Sequence, residues 1–290
     1  MRDGGQPGGS GGGVVEIVAL AEALALGGVP TLFLVVTGLG RVPIVRNGTP
    51  EQIRKFVTPT CDGSVKLCFA ITEPNAGTNS FNMSTLATRD GEDWVLNGQK
   101  VFISGARDAD IMLVIARTQK ASDVGHRTEG MSLFVIDMKT PGITLQPLNI
   151  QVETAERQYM VFFDNVRLPA DALIGEAGKG AKLMFEGLNS ERLLAAAAAL
   201  GIGDYALNKA VNYAGENAGA HANMAKLLAS RAAVAAVEAA IQTHGGYAFD
   251  RDYDVVTLWP MVRLMEIAPI NNEMLLNYIG EHVLGLPKSY

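Results

Sequence analysis

Phe69-Ala70-Ile71-Thr72-Glu73-Pro74-Asn75-Ala76-Gly77-Thr78-Asn79 is the stretch on which the reading of this chain turns. Its apolar opening completes a β-type run, Leu67 to Thr72, and the proline, glycine and threonines that follow impose a tight polar loop. Such a loop offers backbone N–H groups and hydroxyls to a planar heterocycle with polar edges, although an ordinary strand-to-turn connection would read the same way. Beyond the loop come further short β-type runs: Ser84 to Thr88, Trp94 to Leu96, Val101 to Ser104, Ile111 to Arg117, Met131 to Asp137, Ile143 to Pro147 and Tyr159 to Phe163. Asp90-Gly91 and Asn97-Gly98 are hairpin signals, so residues 66–175 are expected to form an antiparallel β-barrel or sandwich domain.

On either side the period changes. Val14 to Ala25, Leu32 to Gly38 and Pro50 to Val57 carry apolar residues at helical spacing, too few helices to close a core of their own, so residues 1–65 read as a partial N-terminal helical domain. From residue 176 to 290 the chain is alanine-rich and helical, through Ala181 to Tyr213, Ala220 to His244, Val255 to Glu266 and Asn271 to Leu284, a shortened C-terminal helical bundle. The expected class is therefore α+β, in the order helical, β, helical.

Composition narrows the partners. The 290 residues carry a formal charge of −6 without a basic run, which gives no electrostatic footprint for nucleic acid or an anionic membrane surface. Cys61 and Cys68 have no Cys/His array around them, so neither a disulfide framework nor a metal site is expected. The opening, Met1 to Gly13, is glycine-rich where a secretory signal would be apolar, and no run reaches the length of a membrane span. A soluble cytoplasmic protein is expected, or a mitochondrial matrix protein if the source is eukaryotic. His126, His221, His244 and His282 lack ligand spacing, and Thr118 to Gly130 reads as a solvated loop.

The opening segment closely resembles the signature of acyl-CoA dehydrogenases, in which a Thr-Glu-Pro triplet is followed by a small-residue turn. The resemblance continues through Asn97-Gly98-Gln99-Lys100-Val101-Phe102-Ile103-Ser104, Phe162-Phe163-Asp164-Asn165-Val166-Arg167-Leu168-Pro169, Glu191-Arg192 and Gln242-Thr243-His244-Gly245-Gly246-Tyr247. It implies an FAD enzyme that desaturates an acyl-CoA thioester at its α,β-carbons, a Glu abstracting a proton while flavin N5 accepts a hydride. By position it assigns Phe69, Ile71 and Thr72 to the isoalloxazine lining, Phe102 to packing on the ring and Ser104 to its polar edge. Gly77 and Thr78 fall where flavin and thioester meet, with Thr78 and Arg192 touching substrate. Gln242, Gly245 and Gly246 match the segment lent to a neighbouring subunit's adenosine diphosphate moiety, although a helix stopped by glycines explains them equally well.

The resemblance also has departures. Pro269 stands where the family's usual catalytic Glu would be, which leaves Glu191 as the expected base and Glu266 as a weaker substitute. Proline cannot donate the backbone N–H that the family directs at the thioester oxygen, and a one-residue shift to Ala268 would restore it. The first N-terminal helices and two long C-terminal helices of the family are expected to be missing, with exposed apolar surface as the consequence. An electron-transfer flavoprotein is the implied electron acceptor and a homo-oligomer the implied assembly. Two alternatives stay open: another flavin reaction on the same scaffold, an oxidase or monooxygenase, and a truncated non-catalytic homologue.

Overall fold

The structure, a computed structural model, describes residues 11–150, 156–214 and 219–288. They divide into two compact units at Gly203/Asp204.

The first unit begins with α1 (Val14–Leu26) and α2 (Leu32–Asn47), then a single turn, α3 (Pro50–Gln52), a π-turn (Ile53–Val57) and α4 (Thr58–Cys61). Thr49 caps α3 reciprocally with Gln52, whose side-chain amide also reaches the carbonyls of Asp171 and Leu173 at 2.8 and 2.7 Å. The sequence ends the second helix at Gly38, but α2 runs nine residues further through Gly40 and Pro43. Gly40 is there for proximity: a Cβ would collide with the Leu67 side chain, so the missing side chain lets α2 approach the sheet.

Eight strands follow: β1 (Leu67–Ala70), β2 (Leu86–Asp90), β3 (Asp93–Ser104), β4 (Ile111–Arg117), β5 (Met131–Asp137), β6 (Ile143–Pro147), β7 (Gln158–Leu168) and β8 (Leu173–Ile174). They form one sheet in the order β6-β7-β3-β2-β4-β5-β8, with β1 alongside β4. The middle region is mostly antiparallel, as expected, but β1 and β2 both pair with β4 in parallel. Period 2 splits the inner strands between two cores. Along β4, Met112, Val114 and Ala116 join Trp94, Leu96, Phe134, Val161 and Phe163 in one cluster. The alternate residues Ile111, Leu113 and Ile115 join Leu133, Met131, Ile44, Phe56 and Met184 in the other, where helices cover the sheet. Covered on both faces, β4 is buried at every position, and each such Leu or Ile contributes roughly 1.5–3 kcal/mol.

Asp90-Gly91 makes the expected hairpin between β2 and β3, with Gly91 at φ 66°. Asn97-Gly98 does not turn the chain. It lies inside β3, with Gly98 at φ 141° beside a register shift against β7. Its Cβ would lie 2.7–2.8 Å from Thr85 Cα and Cβ, so glycine serves a bulge and a close strand approach instead of a reversal.

A long helix, α5 (Gly180–Ala214), leads out of the first unit. Its Leu194 and Ala197 pack with Ala21, Ile17 and Val18 of α1 and with Leu34 and Val35 of α2, so the short N-terminal helices find their core against α5. The second unit holds α6 (Gly219–His244), a 3-10 turn (Gly245–Phe249), α7 (Leu258–Ile267) and α8 (Asn272–His282), a helical bundle. No described helix is long and apolar enough to cross a membrane. The glycine-rich start up to Ser10 and residues 215–218, where the C-terminal shortening was expected, lie outside the described residues.

Candidate active site

The site in the first unit is built where β1 runs out. Past Ala70 the chain leaves regular pairing, yet Ile71, Thr72 and Glu73 are held in succession: Lys100 Nζ donates to Ile71 O at 2.9 Å, Val101 N to Thr72 O at 2.9 Å, and Lys100 Nζ again to Glu73 Oε1 at 2.8 Å. The loop then closes on itself through paired backbone bonds between Glu73 and Ala76. The Glu73 carboxylate also accepts from Ser84 N, Ser84 Oγ and Thr85 N at 2.6, 2.9 and 3.1 Å, tying the far end of the loop to the start of β2.

Both charges of this pair are buried, Lys100 at 0% and Glu73 at 3% side-chain exposure. Burial pushes the Lys100 ammonium down from 10.5 to about 8, an effect that the charge and hydrogen bond of Glu73 offset only partly. Burial also pushes the Glu73 carboxyl up, but the charge of Lys100 and the hydrogen bonds from Lys100, Ser84 and Thr85 outweigh it and hold the group below the ordinary 4.5.

Immediately after this anchor β3 does something costly. Between Lys100 and Ile103 the register against β7 slips, and Phe102 takes φ 59° with 59% of the residue exposed. A bulky aromatic in the left-handed region, turned out of the core, is a strained arrangement of the kind found at ligand sites. Two residues on, Ser104 Oγ and the Gln158 side-chain amide are 2.8 and 3.1 Å apart in a mutual contact.

The loop beside the exposed ring suits a flat ligand with polar edges. Among the described residues nothing hydrogen-bonds to the Thr72 and Thr78 hydroxyls or to the N–H groups of Gly77 and Thr78, and a Cβ at Gly77 would meet open space. Ile71 and Thr72 are half-buried, whereas Gly77 and Thr78 are exposed. Phe69 sits differently from the expectation. The pleat of β1 sends it with Leu67 into the helix-covered core, against which Ile71 also packs.

Glu191 lies half-buried on α5, and among the described residues its carboxylate has no hydrogen-bond or ion-pair partner. Arg192 is exposed and donates to Asn189 Oδ1 at 3.1 Å. In the second unit, the carboxylate of Glu266 is committed: Arg263 pairs with one oxygen and Asn272 Nδ2 reaches the other at 3.4 Å. The Ala268 N–H donates to Leu264 O at 2.8 Å and so is spent on closing α7, which removes the donor that a one-residue shift would have supplied. Gln242, Gly245 and Gly246 come together, all exposed, where α6 ends; Gly245 at φ 57° terminates the helix, and a Cβ on either glycine would meet open space.

Sequence reasoning missed two positioning side chains. Lys100 stands inside a motif that gives it no role of its own, although the inward phase of Trp94 and Leu96, continued along β3, leads to it. Arg117, at the end of β4, is buried and donates to the carbonyls of Phe81, Met83, Arg127 and Glu129 at 2.7, 3.1, 3.3 and 3.1 Å. It fixes the segment between the loop and β2, and no sequence signal separates it from a surface arginine. It also draws carbonyls of the otherwise solvated Thr118 to Gly130 loop inward. Among the described residues no cluster of His, Cys, Asp and Glu could hold a metal ion.

Three family profiles match: the acyl-CoA dehydrogenase N-terminal domain over residues 5–64, the middle domain over 68–166 and the C-terminal domain over 214–284. Acyl-CoA dehydrogenase FadE12 of Mycobacterium tuberculosis is 36% identical over an alignment covering 98% of this chain and 84% of the relative. The caffeyl-CoA reductase-Etf complex subunit CarC of Acetobacterium woodii is 29% identical, covering 90% of this chain and 80% of the relative. Among solved structures, butyryl-CoA dehydrogenase from Megasphaera elsdenii superposes with a TM-score of 0.67 at 28% identity, over 95% of this chain and 83% of that one.

Proposed function

The chain belongs to the acyl-CoA dehydrogenase family, and from that membership we propose that it is an FAD-dependent oxidoreductase that introduces an α,β double bond into an acyl-CoA thioester. The observation that carries the reading is Phe102: a strained, outward-turned aromatic beside a loop of uncommitted donors is what a ring stacked on that face requires. FAD, when bound, supplies the hydride acceptor at N5. Phe102 would cover one face of the ring; Ile71 and Thr72 would line it, with Phe69 as backing; Ser104, held by Gln158, would meet its polar edge. Gly77 and Thr78 leave room and donors where thioester and ring come together. Gln242, Gly245 and Gly246 would serve the adenosine diphosphate moiety of a neighbouring subunit.

Glu191 is the base in this reading. It is half-buried, and among the described residues its carboxylate has no partner, whereas Glu266 is held by Arg263 and Asn272. Arg192 would line the substrate beside it. In this reading the chain is segmented at 1–65, 66–175 and 176–290, with the β segment carrying the contacts to the ring. The similarity to a subunit of an Etf complex supports an electron-transfer flavoprotein as acceptor. Apolar residues standing open on the second unit, among them Leu228, Met261, Leu264 and Ile267, support a homo-oligomer.

The test is anaerobic addition of a saturated acyl-CoA to the FAD-loaded protein. Wild type should bleach its flavin band; Glu191→Gln should keep the resting spectrum and bleach about 10²- to 10⁴-fold more slowly. An unchanged rate in the variant eliminates Glu191. A second reading, flavin binding without thioester dehydrogenation, is favoured by one observation: Pro269 has no N–H and that of Ala268 is engaged, so neither can stabilise enolate charge. A wild-type flavin that binds acyl-CoA without bleaching would select it.

A further inference from the structure

The Glu73 and Lys100 pair is an expensive thing to bury. Two ions taken from water cost several kcal/mol each, and a pair of this kind is often replaceable by apolar residues without loss of stability. Lys100 is nonetheless among the largest fully buried side chains of the protein. Stability of the core is thus a weak reason for its presence, and its hydrogen bonds point to another.

Every partner of the pair lies on the loop or at its two ends. Lys100 Nζ takes the carbonyl of Ile71 and one carboxylate oxygen of Glu73; Glu73 takes the backbone N–H of Ser84 and Thr85 and the Ser84 hydroxyl. The next residue, Val101, takes Thr72 O, and the one after that is Phe102 at φ 59°. β1 pairs with β4 and has no ladder to β3, so these bonds replace the strand pairing that would otherwise set the distance between Thr72 and Phe102.

We propose that Lys100 and Glu73 are positioning residues for the flavin: their buried contact holds the Ile71–Glu73 backbone against the Phe102 bulge, so that ring edge and ring face find their partners already in place. The inference rests on the flavin reading above. Both side chains are buried and act through the backbone they fix, and preorganisation of this kind appears as affinity and as a defined ring environment.

The experiment uses the full chain, FAD and two variants. Lys100→Met leaves Glu73 without its cation; the double variant Glu73→Gln/Lys100→Met removes both charges, so that no unpaired ion is buried. FAD affinity is read by quenching of flavin fluorescence, ring environment by the visible circular dichroism of bound flavin, and folding by far-ultraviolet circular dichroism and thermal unfolding of the apo-protein. The double variant should fold with a wild-type far-ultraviolet spectrum, bind FAD at least about tenfold more weakly and lose the wild-type visible signature. Lys100→Met should show the same or a larger loss, and if it fails to fold the double variant decides. A folded double variant with wild-type affinity and signature overturns the proposal. A double variant that does not fold also overturns it, since the pair would then serve the core. Wild-type protein that ignores FAD refutes the flavin reading itself, a result distinct from either.

Discussion

Glu73 makes the fold sensitive to acid. Its carboxyl is held below 4.5 in the folded protein, so near that pH the folded state carries fewer protons than the unfolded chain, and stability rises with pH. The contribution is complete above about 4.5 and is lost as pH falls through the lower folded value. Urea unfolding of the apo-protein between about pH 6 and about pH 3 should therefore show a fall in stability that is shallower in Glu73→Gln, which starts less stable because Lys100 keeps a buried charge without its counter-ion. Parallel pH profiles for the two proteins would contradict this. At the residue scale the sequence was informative where a motif carried chemistry and silent where burial did. The motif singled out Thr72, Gly77, Thr78 and Phe102 as candidates, but a lysine in a strand reads as solvated, and only the contacts of Lys100 and Arg117 reveal them as anchors.

Elements were legible in proportion to their periodicity. The limits of β4, β5 and β6 could be read directly from continuous or alternating apolar runs bounded by polar residues. Misreadings came from glycine, whose two uses look alike in sequence. Gly38 seemed to end a helix that continues, because α2 needs close approach to β1 at Gly40; Asn97-Gly98 seemed to turn a chain that runs straight through a bulge. The bulge gives a prediction: Gly98→Ala must place a methyl at φ 141° within 2.8 Å of Thr85 Cβ. A destabilisation of about 1–3 kcal/mol is expected in the midpoint of denaturant unfolding. Because Thr85 also bonds Glu73, the same substitution should weaken FAD binding. A change below about 0.5 kcal/mol would show that β3 and β2 are not pressed together at this point.

On the scale of the whole molecule, two different kinds of information met. Alternation and helical spacing indicated a β region between helical segments, whereas only the ordered series of motifs pointed to a flavin and a thioester. What neither could supply was the parallel pairing of β1 and β2 with β4, since partner choice between strands depends on tertiary closure. The account depends on a flavin docking against Phe102 and the Thr72 to Thr78 loop. Titration of the folded wild-type chain with FAD, followed by visible circular dichroism, tests this most directly. Saturable binding of one FAD per chain, with an induced signal that is lost on adding acyl-CoA as the flavin is reduced, is the predicted result; a correctly folded protein that leaves the FAD spectrum unchanged at every concentration would contradict it.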